Sequence, residues 1–339
     1  MRGTSKDSAT SLQNDHPQKI DGCHCAQRDT KLRRVVTRVA GILKHWNRRM
    51  LVTAILAIRN EEAYLANCLR HLVRNQIDFV IIDNGSSDSS AQIYRRREFS
   101  ANLVDVQDLP FAGVFSLTQQ LRRKMQVIDT LDTDWVVHLD ADEVMHSYRE
   151  GESLNEALCR LDAQDWNVVN FDEFVFLPVG HDYVPEATEH QPISHYYFFE
   201  PFAPRLMRAW KKASGFSLAK HGGHLLDGAG LRLAAERFAL RHYMVRSQEH
   251  ALHKYTTRFF APEDLALGWH GFRANQPSKA FALPPEGCLK RLDKTDKRNL
   301  DRSEPWTAHY WQRFQAEAFR PILESARGGE GSDGRTEKP

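Results

Sequence analysis

From residue 51 onward the apolar positions change period in a regular way. "LVTAILAI", 51–58, is a continuous apolar run of strand length. "RNEEAYLANCLRHLVRN" follows, with Leu65, Cys68, Leu69, Leu72 and Val73 at the spacing of one helix face. "DFVIIDNGSSD", 78–88, reads as a strand and then a turn, in which Gly85 permits the bend and Ser86 or Ser87 offers a helix cap. "SSAQIYRRREF" reads as a helix and "NLVDVQ", 102–107, as a third strand. "FSLTQQLRRKMQVIDTL" is a helix striped by Leu117, Leu121, Met125 and Ile128, and "DWVVHLDADE" is a fourth strand. Strands alternating with helices in this way form a parallel sheet covered on both faces. Such sheets bind ligands at the carboxyl ends of their strands. Asp83 and Asp140 each close an apolar strand, so the pattern predicts them at one edge.

After residue 150 the pattern changes. "NVVNFDEFVFLPVG" is strand-like, 195–210 is dense in aromatics, and a further strand is predicted near 239–246. Helical patterns return in "SQEHALHKYTTRFF" and "WTAHYWQRFQAEAF". Residues 1–30 are polar and aperiodic and read as a disordered leader, as does the Gly- and charge-rich tail 327–339. Residues 31–50 are a basic amphipathic helix with no acid. It has two readings: contact with an anionic membrane surface, or packing on the domain behind it. The expected plan is one α/β domain over 51–260, in two halves, 51–150 and 151–260. A helical C-terminal extension, 261–326, follows.

The composition, 41% hydrophobic and 27% charged, is ordinary for a globular chain. No apolar run approaches the ~18–20 residues of a membrane span, and residues 1–30 lack a signal-peptide core. A cytoplasmic protein is expected, peripheral at the inner membrane face if 31–50 takes the first of its two readings. Five scattered cysteines do not form a disulfide framework, and Cys23-His24-Cys25 lacks the second ligand pair of a zinc site. Residues 1–50 hold eleven Lys/Arg and four Asp/Glu, against 35 and 40 in the rest. A mildly acidic body argues against nucleic acid as a partner.

"VVHLDADE", 136–143, ends an apolar strand in three acids: Asp140, Asp142 and Glu143. Buried carboxylates repel one another and are costly to desolvate. Either the turn is simply solvated, or a cation belongs among them. Mg²⁺ takes one or two carboxylates together with phosphates and water. A second strand-end acid, Asp83, in the same predicted sheet favours the cation.

"AILAIRNEEAYLANCL", "DFVIIDNGSSDSS" and "DWVVHLDADE" occur in order over about 95 residues. In this they resemble the N-terminal half of family 2 glycosyltransferases and their relatives with the GT-A fold. "LRHYMVRSQEHALHK", 240–254, resembles a segment of one bacterial branch of that superfamily. The resemblance implies a GT-A-like α/β fold, Rossmann-related, with a mostly parallel mixed sheet flanked by helices. It implies a metal-dependent transferase using a UDP- or GDP-sugar and a saccharide or lipid-linked acceptor, as in bacterial polysaccharide or glycoconjugate synthesis. Asp83 would hold the base or ribose, with Arg59 and Glu61 beside it. Asp140 would meet the ribose or the metal, and Asp142 would bind Mg²⁺ or Mn²⁺. His242 would complete the metal site, with His224 as second choice.

An inverting transfer needs a base. Glu173 and Asp227 are the candidates, with Glu249 as a third. His138 reads as a buried structural residue, and the aromatics from Tyr196 to Trp210 as core rather than as a sugar platform. Arg122 and Arg123 read as a solvated helix face. Two alternatives compete: a haloacid-dehalogenase-like phosphatase, which also places D-x-D at a strand end, and a non-catalytic nucleotide-sugar-binding module.

Overall fold

In the computed structural model, residues 50–179, 193–270, 273–274, 281–293 and 298–313 are described. The leader, the basic helix 31–50 apart from Met50, and the tail lie outside them.

The first half follows the predicted alternation. Strand β1 (Val52–Ile58) leads to helix α1 (Glu62–Arg74), β2 (Asp78–Asp83), short helix α2 (Ser90–Tyr94), β3 (Leu103–Asp108), α3 (Leu117–Thr130) and β4 (Trp135–Leu139). β1 pairs in parallel with β2 and β4, and β2 with β3. Ile58 therefore stands opposite Asp83, and Leu56 opposite Leu139, which puts the three strand ends at one edge. The predicted fourth strand is two strands: β4 stops at Leu139, the chain turns through Asp140–Asp142, and β5 (Glu143–His146) starts anew.

A helix that the apolar pattern did not predict, α4 (Leu154–Ala163), comes next. Then follow β6 (Val168–Leu177), β7 (His195–Phe199), β8 (Met207–Lys211), β9 (Phe238–His242), α5 (Gln248–Thr256), α6 (Pro262–Ala266), β10 (Lys290–Arg291) and α7 (Tyr310–Arg313). The main sheet runs β10-β7-β6-β8-β4-β1-β2-β3. It is parallel from β4 to β3, while β8 is antiparallel to both β4 and β6. β6 forks: its start pairs with β8, while Phe171–Val175 run parallel to β9. β9 in turn pairs antiparallel with β5, with Glu143 opposite His242.

The aromatics of β7 and β8 are core, as expected. Tyr196, Tyr197, Phe198, Phe199 and Trp210 are all buried. Cys68, Cys159 and Cys288 are free. No helix among the described residues is long and apolar enough to cross a membrane.

Candidate active site

The carboxyl ends of β1 and β4, the turn after β4, and the segments after β9 enclose a cavity of about 710 Å³. Its first wall is the loop after β1. Asn60 adopts a left-handed φ of 57°, which Asn tolerates better than most residues. That bend locks the loop to the one after β2. Asn60 Oδ1 accepts from the Ser87 amide at 2.7 Å, and the Glu62 amide donates to Asp88 Oδ2 at 3.0 Å. The Arg59 guanidinium lies 3.4 Å over the Phe111 ring and donates to the carbonyls of Asn84 and Gly85. Glu61 faces the cavity, where burial and nearby Asp142 push its carboxyl up to about 8.

The acidic turn after β4 is neutralised by the protein's own cations. Asp140, the exposed member, faces Lys124 at 3.5 Å and Arg208 at 3.8 Å. Glu143 is buried, pairs with Arg208 at 2.9 Å and accepts from the Asp140 amide at 3.0 Å, so it braces the turn. Asp142 Oδ2 lies 3.1 Å from Lys254 Nζ and 3.6 Å from His242 Nε2. Those cations outweigh the burial penalty and hold the Asp142 carboxyl well below the usual carboxylate range. The β5–β9 register that sets Glu143 opposite His242 brings this pair together.

Residues 53–150, which supply every strand-end acid of this site, match the model of glycosyl transferase family 2. They are a glycosyltransferase family 2 domain. The match removes the phosphatase alternative. No curated protein is significantly similar to the chain in sequence. Among solved structures, TarS 1–349 of S. aureus in complex with UDP is 14% identical with a TM-score of 0.38, over 61% of this chain and 65% of that one. The mannosyltransferase PcManGT from Pyrobaculum calidifontis, in complex with GDP-Man and Mn²⁺, is 15% identical with a TM-score of 0.36, over 68% of this chain and 72% of that one. Glucosyl-3-phosphoglycerate synthase from Mycobacterium tuberculosis is 15% identical with a TM-score of 0.25, over 37% and 44%. The chain thus spans a little under two thirds of the TarS chain it matches.

Within this family 2 site, Arg59, Glu61, Asp140, Asp142, Glu173, His224 and His242 all line the cavity. Asp83 does not. Its Oδ1 accepts from the Ser86 amide at 2.8 Å and its Oδ2 from the Tyr94 hydroxyl at 3.2 Å. It therefore shapes its own turn.

Both candidate bases need correction. Asp227 is exposed, lies outside the cavity wall and faces Lys220 at 3.5 Å. Glu173 is in place but occupied: Oε1 accepts from His242 Nδ1 at 2.7 Å, and Oε2 accepts from Arg205. Those two cations hold its carboxyl low, against burial, so its affinity for a proton is poor. Glu249 is exposed and outside the wall. His138 is a buried neutral ring against Arg208, as expected. Arg122 is exposed, and Arg123 donates to the Asp108 carbonyl at 3.0 Å.

The metal set also changes. Among the described residues, no three His, Cys, Asp or Glu side chains can hold an ion by themselves. Lys124 and Arg208 attract the Asp140 carboxylate as Lys254 attracts that of Asp142, so each acid faces a cation of the protein's own. What sets Asp142 apart is the nearer histidine, His242 Nε2 at 3.6 Å, against 4.0 Å from His138 Nε2 to Asp140. Glu173 fixes the His242 ring and turns Nε2 towards Asp142, the outer-shell arrangement of metal-bound histidines. Adjacent ligands of an octahedral ion with bonds of about 2.0–2.2 Å stand about 3 Å apart, so the two atoms, now 3.6 Å apart, would close by about half an ångström on binding one. The donor set fits a divalent ion whose other positions are filled by substrate oxygens and water.

The pattern reading missed Lys124, Arg208 and Lys254. Lys124 left a signal: it sits three residues after Leu121 and four before Ile128, on the buried stripe of α3. A lysine on an apolar stripe needs a partner, and here the partner is Asp140.

Proposed function

We propose that the chain transfers a glycosyl group from a UDP- or GDP-sugar to a hydroxyl of a saccharide or lipid-linked acceptor, with Mg²⁺ or Mn²⁺ held by Asp142 and His242. The observation that carries this reading is the pairing of the strand-end carboxylate Asp142 with His242 Nε2, inside a cavity bordered by the Arg59–Glu62 loop.

The bound ion would neutralise the diphosphate as it leaves. The protein's own groups do the rest. Arg59, fixed over Phe111, borders the nucleotide end. Lys254 and Lys124 supply buried positive charge beside the acidic turn, oriented before substrate arrives. Glu173 keeps the His242 ring in one orientation. Engagement of Asp142 and His242 in an ordered network speaks against a non-catalytic binding module.

Thermal shift with UDP, GDP and their sugars, with and without Mn²⁺, tests the reading. At least one nucleotide should stabilise the wild type only when metal is present. At one hundred times Kd the gain is about 2.7 kcal/mol. Asp142→Ala should lose the metal-dependent part. An equal response in that variant, or none in the wild type, overturns the assignment.

A further inference from the structure

We propose that Arg273, flanked by Arg258 and the Tyr255 hydroxyl, forms a subsite for an anionic group, phosphate or carboxylate, carried by the acceptor. This rests on the donor-binding reading above and adds a substrate class to it.

The inference comes from following the cations around the acidic turn and the far wall of the cavity to their partners. Lys124 and Arg208 face Asp140 and Glu143, Arg205 faces Glu173, and Lys254 faces Asp142. Arg273 and Arg258 also line the cavity, yet neither has a carboxylate within ion-pair distance among the described residues; Arg258 feels Glu61, and Arg273 feels Glu173, only from farther off. Arg273 instead lies 5.9 Å from the Tyr255 ring and 5.4 Å from the Trp311 ring, and Arg258 lies 4.9 Å from the Phe115 ring. Aromatic faces offset charge but accept few of the five guanidinium N–H bonds. A guanidinium withdrawn from water without a counter-ion is costly, and burial draws Arg273 down from its ordinary pKa.

A second observation points the same way. The Tyr255 hydroxyl is buried without a hydrogen-bond partner, and Tyr255 lines the cavity. A native protein rarely leaves such a donor unmet. An anion seated on Arg273 and Arg258 would accept from all three. The position favours the acceptor over the donor. The nucleotide wall is built from loops before residue 145, whereas the aromatic partners of Arg273 come from α5 and α7 at the opposite end of the chain.

Sulfate, as a stand-in for a phosphate ester, is titrated into the full chain saturated with UDP or GDP and Mn²⁺, and melting is followed. Sulfate should add stabilisation on top of the nucleotide. Arg273→Gln should raise the sulfate midpoint ten-fold or more while moving the nucleotide midpoint less than two-fold. Arg258→Gln gives the same reading if the first variant folds poorly. General salting-out acts equally on wild type and variant, so only their difference counts. The proposal is overturned if the variants leave the sulfate response unchanged. It is equally overturned if sulfate and nucleotide displace one another, or if both midpoints shift alike, which would assign the arginines to the donor diphosphate. If neither nucleotide binds, the donor reading fails. The sulfate titration without nucleotide still decides the subsite by whether Arg273→Gln loses it.

Discussion

Glu173 accepts from two cations at once, His242 Nδ1 at 2.7 Å on one oxygen and Arg205 on the other. It is therefore a positioning residue. Glu173→Gln keeps an acceptor for His242 but removes the charge. Mn²⁺ affinity, measured by calorimetry in the presence of nucleotide, should fall roughly 10–100-fold. Glu173→Ala should cost more in stability, about 3–5 kcal/mol in urea unfolding, because Arg205 is left buried and unpaired. Unchanged metal affinity in Glu173→Gln would remove Glu173 from this role.

Gly223 is fixed by its surroundings. Its φ of +78° disfavours a side chain, and a Cβ would fall 2.7 Å from His138 Cε1. Gly223→Ala should destabilise the chain by roughly 2–3 kcal/mol in urea unfolding. Part of that loss should return in Gly223→Ala combined with His138→Ala, measured as a coupling in a double-mutant cycle. Strict additivity would show that backbone strain, not the clash, dominates.

Acid should weaken the fold through buried neutral histidines. His71 Nε2 donates to the Met145 carbonyl at 2.7 Å, and burial lowers the ring from 6.5 to about 4. The folded state then binds fewer protons than the unfolded state between those values. Its stabilising effect is complete above pH 6.5 and is lost as pH falls towards 4. At pH 5 this one group would cost about 2 kcal/mol. The stability of His71→Gln should fall less steeply than wild type between pH 6.5 and 5 in denaturant titrations.

Helix α4 begins with a capping box. The Ser153 hydroxyl accepts from the Glu156 amide at 3.2 Å, and Glu156 Oε2 accepts from the Ser153 amide at 2.8 Å. Ser153→Ala should cost about 1 kcal/mol, read as a lowered urea midpoint with an unchanged m-value.

That cap also shows where the apolar pattern falls short. "SLNEALCRLDA" carries a Ser-x-x-Glu start and Leu154, Ala157, Leu158 and Leu161 at helical spacing, so α4 was readable. The parallel strands β1 to β4 were readable because each is a bounded apolar run. Asp142 was readable because an acid at the end of such a run needs a cation. Lys254 and Arg208 were not, because their partners lie 112 and 65 residues away. Nothing local marks them. Asp227 illustrates the converse: a Gly-rich neighbourhood looked functional, but the chain spends it on a turn paired with Ser217.

The forked pairing of β6, and the place of β8 between β6 and β4, bear on how the molecule can be divided. Residues 53–150 carry the family likeness, yet β4 is closed on one side only by β8, with Val136 opposite Trp210. β5 likewise has its partner in β9. A fragment cut at 150 would bare the edge of β4, a flat apolar row of unpaired amides and carbonyls, and such edges recruit other chains. Expressed alone, the recognisable third of the sequence should self-associate rather than fold, because the strands that cap it are encoded more than fifty residues downstream.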